Sequence, residues 1–181
     1  VGLDTVELIL AIEDEFSIET RDDSPQMFTV GDIYVYLKKR LGSSPSTGCP
    51  SQKLFHAIRK GLMENYRVER TIIRLDSRLS DLESPSQLGE GWDFMQLFSN
   101  LDMPKLKIPG FLFAPTFHAS NITVRELILT VMVINESKLD VMKNSNDDVW
   151  IRLVRVIQRQ TNAPVEEITP KARFSEDLLI E

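Results

Sequence analysis

The sequence predicts an all-α protein built from two related helical units, and three observations lead there. Apolar residues recur at helical spacing in several separate segments. A Gly, Ser and Pro-rich stretch, "GSSPSTGCPS", interrupts that pattern after Leu41 with the composition of a connector. Parts of the chain repeat one another, as duplicated structural units do.

The first helix is read from Leu3, Val6, Leu8, Ile9, Leu10, Ile12 and Phe16, with Asp4, Glu7, Glu13, Asp14 and Glu15 on the remaining positions. It is amphipathic, with an acidic face. The polar run "ETRDDSPQ" is a loop, after which Thr29 caps "VGDIYVYLKKRL". Lys38, Lys39 and Arg40 sit in its last turn, where cations oppose the helix dipole, and Gly42 ends it. Helical spacing resumes from Gln52 with Leu54, Phe55, Ile58 and Leu62. A further helix is expected from about Gly91 to Leu101, a buried one from near Thr123, and a last amphipathic one from Val149 to Ile157.

The repeat relates the segment that starts at Lys53 to the segment that starts at Asp148. Ile73 matches Ile168, Arg78 matches Arg173, Leu79 matches Phe174, and Asp81-Leu82 matches Asp177-Leu178 after one inserted residue. "TVGDI" at Thr29 and "TVREL" at Thr123 form a second echo.

The 181 residues are 42% apolar and 27% charged, the composition of a folded, water-soluble protein. A net charge of −6 argues against a general nucleic-acid binder, which needs a basic surface, and favours basic partners. Cys49, the single cysteine, rules out an intramolecular disulfide and a multi-cysteine zinc site; the cytoplasm is the expected compartment. The longest apolar stretch, around Ile108 to Phe117, is broken by Pro109, Gly110 and Pro115. It falls well short of the roughly 20 residues of a spanning helix, so no membrane anchor is expected.

"LDTVELILAIEDEFSIE", from Leu3 to Glu19, resembles the second helix of acyl carrier proteins almost position for position. "VEEITPKARFSEDL" resembles the loop between the first and second helices of that family, and "TVGDIYVYLKKRL" its last helix. The resemblance therefore implies two carrier-like four-helix bundles. The first would be assembled from both chain ends, residues 1–42 with 147–181; the second, more divergent, would span 50–137. The family order is rotated, so that the first helix comes last. Circular permutation, a rotated listing, and truncated or exchanged halves all account for it.

The family carries acyl groups on 4'-phosphopantetheine attached to a serine at the start of the second helix, within Asp-Ser-Leu. Here Gly2 stands in the serine position of the first unit, and Ser84 and Ser86 lie near that position in the second. The resemblance implies docking of enzymes with basic patches on the acidic helix, through Asp4, Glu7, Glu13 and Asp14, by opposite charge. Two functions follow: an acyl carrier in lipid or polyketide metabolism, or a carrier-derived interaction module without the prosthetic group.

Nothing in the sequence recommends an enzyme. There is no glycine-rich phosphate loop, nucleophile elbow or paired-carboxylate motif. His56 and His118 lack the paired spacing of zinc ligands. Cys49, placed in the connector, has nothing to lower its pKa. Trp92 and Trp150 are read as core. "KIPGFLFAPTF" either covers the second unit's core or offers a patch to a partner or an acyl chain.

Overall fold

A computed structural model of the chain describes residues 3–20, 28–44, 49–107, 117–118, 122–141, 143 and 145–180. The fold is all-α, with seven α-helices among the described residues: α1 (Leu3–Phe16), α2 (Val30–Leu41), α3 (Pro50–Tyr66), α4 (Leu79–Leu82), α5 (Pro85–Ser99), α6 (Val124–Ile134) and α7 (Asn146–Thr161). The chain divides into two compact units, Val1–Thr47 with Val141–Glu181 and Gly48–Asp140.

In the first unit α7 packs against both α1 and α2. Leu8, Ile12 and Phe16 of α1, Val30, Ile33 and Leu37 of α2, and Val149, Leu153 and Ile157 of α7 are buried. Each set advances by three or four residues, so α1 and α2 each commit one stripe to the core, while α7, which packs against both, buries a wider face that adds Trp150, Ile151 and Val154. The described part of this unit holds three α-helices and a 3-10 turn, Val165–Glu167, where four helices were expected. Pro164 immediately precedes that turn, and Ile168 leaves helical geometry with φ −84° and ψ 72°. Asp32 closes a capping box with Thr29, and Gly42 ends α2 in the left-handed conformation that glycine adopts without a Cβ penalty.

In the second unit α3 packs against α5 and α6. Leu54, Ile58 and Leu62 meet a core that includes Leu88, Trp92, Met95, Leu127, Ile128 and Val131. Trp92 donates its indole N–H to the Pro104 carbonyl at 2.7 Å, so its burial leaves no polar group unpaired. Asn135, 1% exposed, accepts from the Asp102 amide and donates to the Asp102 carbonyl, both at 2.8 Å. Leu106–Lys107 and Phe117–His118 form a two-residue parallel pair; most of "KIPGFLFAPTF" lies outside the described residues.

Several expected boundaries shift, for local reasons. The helix expected from Gly91 runs from Pro85, because Ser84 stands at the N-cap and proline, lacking an N–H, suits the first helical position. The same chemistry at Pro50 starts α3 two residues before Gln52, so Cys49 is an N-cap residue and not part of a featureless connector. Its thiol lies 2.8 Å from the Ser51 hydroxyl. Ser145, whose hydroxyl accepts from the Asp148 amide at 3.2 Å, extends α7 back to Asn146.

One backbone arrangement occurs in both units. Residues Thr29 and Arg173 form an antiparallel bridge in the first; Thr123 and Arg78 form one in the second. Val30 donates to the Ala172 carbonyl at 3.0 Å and Gly31 to Pro170 at 2.9 Å, while Phe174 donates to Phe28 at 3.2 Å. The counterparts are Val124 to Ser77 at 2.9 Å, Arg125 to Leu75 at 2.8 Å and Leu79 to Ile122 at 2.9 Å. Both clasps sit on a capping-box threonine, Thr29 or Thr123. The correspondence extends through the preceding helix: Leu54, Ile58 and Leu62 are buried as Val149, Leu153 and Ile157 are. Arg67 and Asn162 then end α3 and α7 with φ of 56° and 57°.

Candidate functional site

Helix α1 carries five carboxylates and no basic residue. Leu8, Ile12 and Phe16 turn one face inward, which leaves Val6, Glu7, Leu10 and Asp14 on the opposite side, exposed. Val6 and Leu10, expected in the apolar stripe, are 43% and 53% exposed. An i, i+4, i+8 stripe is narrow, and these two residues fall outside it. The outward face is therefore mixed: carboxylates interleaved with branched apolar side chains.

The acidic residues do not all share this face. Glu13 is turned to the end of its own helix, where the Thr20 hydroxyl and amide both donate to its carboxylate. These bonds hold its carboxyl below the ordinary value. Glu13 and Asp14 also border an open basin of about 640 Å³ with Ser17, Ile18, Glu19 and Arg40. The side chain of Asp4 lies outside the described atoms. Glu7 and Asp14 are thus the described members of the expected docking set whose side chains project outward on one face.

Glu15 was not singled out from sequence as a docking residue, and it ties α1 to α7. Its carboxylate accepts from Arg152 and Arg159, each at 2.9 Å, and Arg152 also donates to the Glu15 carbonyl. The Arg152 guanidinium lies 4.4 Å from the centre of the Phe16 ring, a cation–π contact. Partial burial pushes the Glu15 carboxyl up, but the two guanidinium groups outweigh it and the net shift is downward. Only the co-location of residues more than 130 positions apart reveals this group. Because Glu13 and Glu15 have carboxyl pKa values depressed in the folded state, their stabilisation is complete above the unfolded carboxyl value of about 4.3 and fades as pH falls through the folded values. Stability should therefore decline on acidification below about pH 4.3. Thermal melts between pH 7 and pH 3 should show a shallower decline for Glu15→Gln than for the parent chain.

Where the family serine would stand, the first unit offers Gly2, which lies outside the described residues and has no hydroxyl. Near the other end of the chain, Leu178 and Ile180 are buried while Leu179 is 79% exposed with φ of 55°. These three residues line a groove of about 270 Å³ with Glu7, Leu8 and Thr161. A left-handed leucine costs roughly 1–2 kcal/mol, part of which glycine would give back as unfolded-chain entropy. Leu179→Gly should raise stability by about 0.5–1 kcal/mol in urea titration.

In the second unit Ser84 is the N-cap of α5, half-exposed, and its hydroxyl donates to Gln87 Oε1 at 2.6 Å. Ser86 lies in the first turn of α5, with its side chain outside the described atoms. His56 is exposed and its Nδ1 lies 2.9 Å from Arg59 Nη2; the side chain of His118 is outside the description. Among the described residues no group of three or more His, Cys, Asp or Glu side chains could hold a metal ion. No described helix is long and apolar enough to cross a membrane.

The fold is thus all-α, and part of the chain is similar to an acyl carrier protein. Over 43 residues it is 48% identical to an acyl carrier protein of Phenylobacterium zucineum (strain HLK1), a stretch that makes up 23% of this chain and 54% of that protein. The chain spans about half the length of this curated relative. No family model matches the chain, and no solved structure does.

Proposed function

We propose that this is a carrier-derived interaction module: two acyl-carrier-like units, arisen by duplication, the first in permuted order, that dock enzymes with basic patches through α1. The observation that carries the reading is the outward face of α1, where Glu7 and Asp14 stand among the exposed Val6 and Leu10. Opposite charge steers a partner, and apolar side chains between the charges give it surface to desolvate. The shared clasp and the partial identity to an acyl carrier protein support the family part of the reading.

Acyl carriage on 4'-phosphopantetheine is the second reading. What favours it is the placement of Ser84 and Ser86 at the start of α5, directly after the clasp of the second unit. What disfavours it is Gly2 in the first unit and the engaged hydroxyl of Ser84.

Intact mass separates the two. After incubation with coenzyme A and a broad-specificity phosphopantetheinyl transferase, the docking reading expects an unchanged mass. It also expects capture by carrier-docking enzymes that falls about tenfold for Glu7→Lys/Asp14→Lys, two exposed charge pairs reversed. Gain of one arm mapped to Ser84 or Ser86 would establish carriage. Capture indifferent to both reversals would remove α1 from the docking role.

A further inference from the structure

The geometry points to a receiving surface for an acidic helix on α3, and the occupant it fits is α1 of a second copy of this chain. This inference rests on the docking reading of α1 and adds the partner.

Helix α3 buries Leu54, Ile58, Gly61 and Leu62, leaving Lys53, His56, Lys60 and Met63 exposed. These four follow one another at intervals of three and four residues, so they form one ridge. Met63 is 37% exposed. Arg59 lies beside this ridge over the Phe55 ring, 4.9 Å from its centre. The only acidic residue of α3 is Glu64, paired with Lys60 at 3.9 Å. Both partners are about half exposed or more, and such a pair is weak enough to exchange for another.

The spacing on α1 is the same. Glu7 and Asp14 are seven residues apart, as Lys53 and Lys60 are, which on a helix is about 10 Å for each pair. Laid antiparallel, Asp14 meets Lys53 and Glu7 meets Lys60, while Leu10 falls level with Ala57, one residue from His56, and Val6 level with Gly61, two residues before Met63. Antiparallel packing also sets the two helix dipoles in their favourable sense. Two charge pairs then share one register, with the exposed apolar side chains of Val6 and Met63 near one end of it. Because α1 and α3 are different surfaces, each copy gives one and receives one. Association is head-to-tail and builds open chains unless the rotation closes a ring.

The test is sedimentation velocity of the full chain over a concentration series, at low salt and at 0.5 M NaCl. The expected result is concentration-dependent association that high salt weakens, since exposed charges are screened beyond a few ångströms there. Lys53→Glu/Lys60→Glu should weaken it about tenfold, as should Glu7→Lys/Asp14→Lys. The chain with all four reversals should associate as the parent does. That recovery also shows that the reversed chains fold. A monomer at every concentration in low salt, or association indifferent to the α3 reversals, overturns the inference. If the chain stays monomeric while carrier-docking enzymes still lose capture on reversal of Glu7 and Asp14, this inference falls and the functional reading stands. If those reversals leave capture unchanged, the functional reading falls independently of the sedimentation result.

Discussion

Trp150→Ala should cost the protein about 3–5 kcal/mol, the range for deletion of a large buried aromatic. Trp150 is 1% exposed in α7, and the Tyr34 ring of α2 meets it edge-on at 5.2 Å and 77°. Tyr34 is itself held by its hydroxyl, which donates to the Asn146 carbonyl at 3.1 Å, with Lys38 Nζ 5.0 Å from its ring centre. Deleting the indole leaves a cavity between α2 and α7 that neither helix can close without moving Tyr34. Domains are commonly stable by only 5–15 kcal/mol, so the loss is a large share. Trp150→Phe should cost much less, because the indole N–H has no hydrogen-bond partner among the described residues and its removal forfeits none of their bonds. Urea titrations of the two variants measure the difference. Equal losses would mean that the N–H, and not the ring, is what the site depends on.

Gly31→Ala should destabilise the first unit by about 1–3 kcal/mol, the usual cost of forcing atoms into a filled space. A Cβ there would lie 2.6 Å from the Pro170 carbonyl oxygen, the atom to which the Gly31 amide donates. Backbone has to move on one side or the other, and the clasp loses one of its bonds. Arg125 holds the corresponding place in the second unit, donating to Leu75 with its own Cβ present. Arg125→Ala should therefore be nearly neutral in the same measurement, apart from its exposed pair with Asp76. Amide exchange at Val30 and Gly31, faster in Gly31→Ala, would locate the damage.

Much of the helical fold was legible because its signals are local. Thr29 followed by Asp32, and Thr123 by Glu126, announce capped helices within four residues, and both capping boxes form. Ile73 with Ile168, and Arg78 with Arg173, pointed to repetition before any contact was visible. The start of α5 escaped because Ser84-Pro85 is as good a turn as it is a helix entry, and only packing of Leu88 and Trp92 decides. Val6 and Leu10 were misread for a different reason. Hydrophobicity places them with the core, but Leu8, Ile12 and Phe16 already fill the stripe that α7 can cover. Glu15 looked like its neighbours Glu13 and Asp14; its partners Arg152 and Arg159 are distant in sequence, so composition could not separate it. Asn135 bonds Asp102 at 33 residues' remove and gave no local sign either.

The division of the first unit between two distant segments has a kinetic consequence. Its described tertiary hydrogen bonds join residues 102 to 146 positions apart, as in Asn146 to Ser44 and Phe174 to Phe28. Those of the second join residues 12 to 50 apart, as in Trp92 to Pro104 and Arg125 to Leu75. Loop closure grows only logarithmically in cost, so the long separation is tolerated at equilibrium, but folding slows as contacts become less local. The second unit is thus set to form early and the first to close after it. During that interval α1 has not yet met α7, and Leu8, Ile12 and Phe16 stand uncovered together. Refolding is then most exposed to aggregation at α1, through the very face that the folded protein buries.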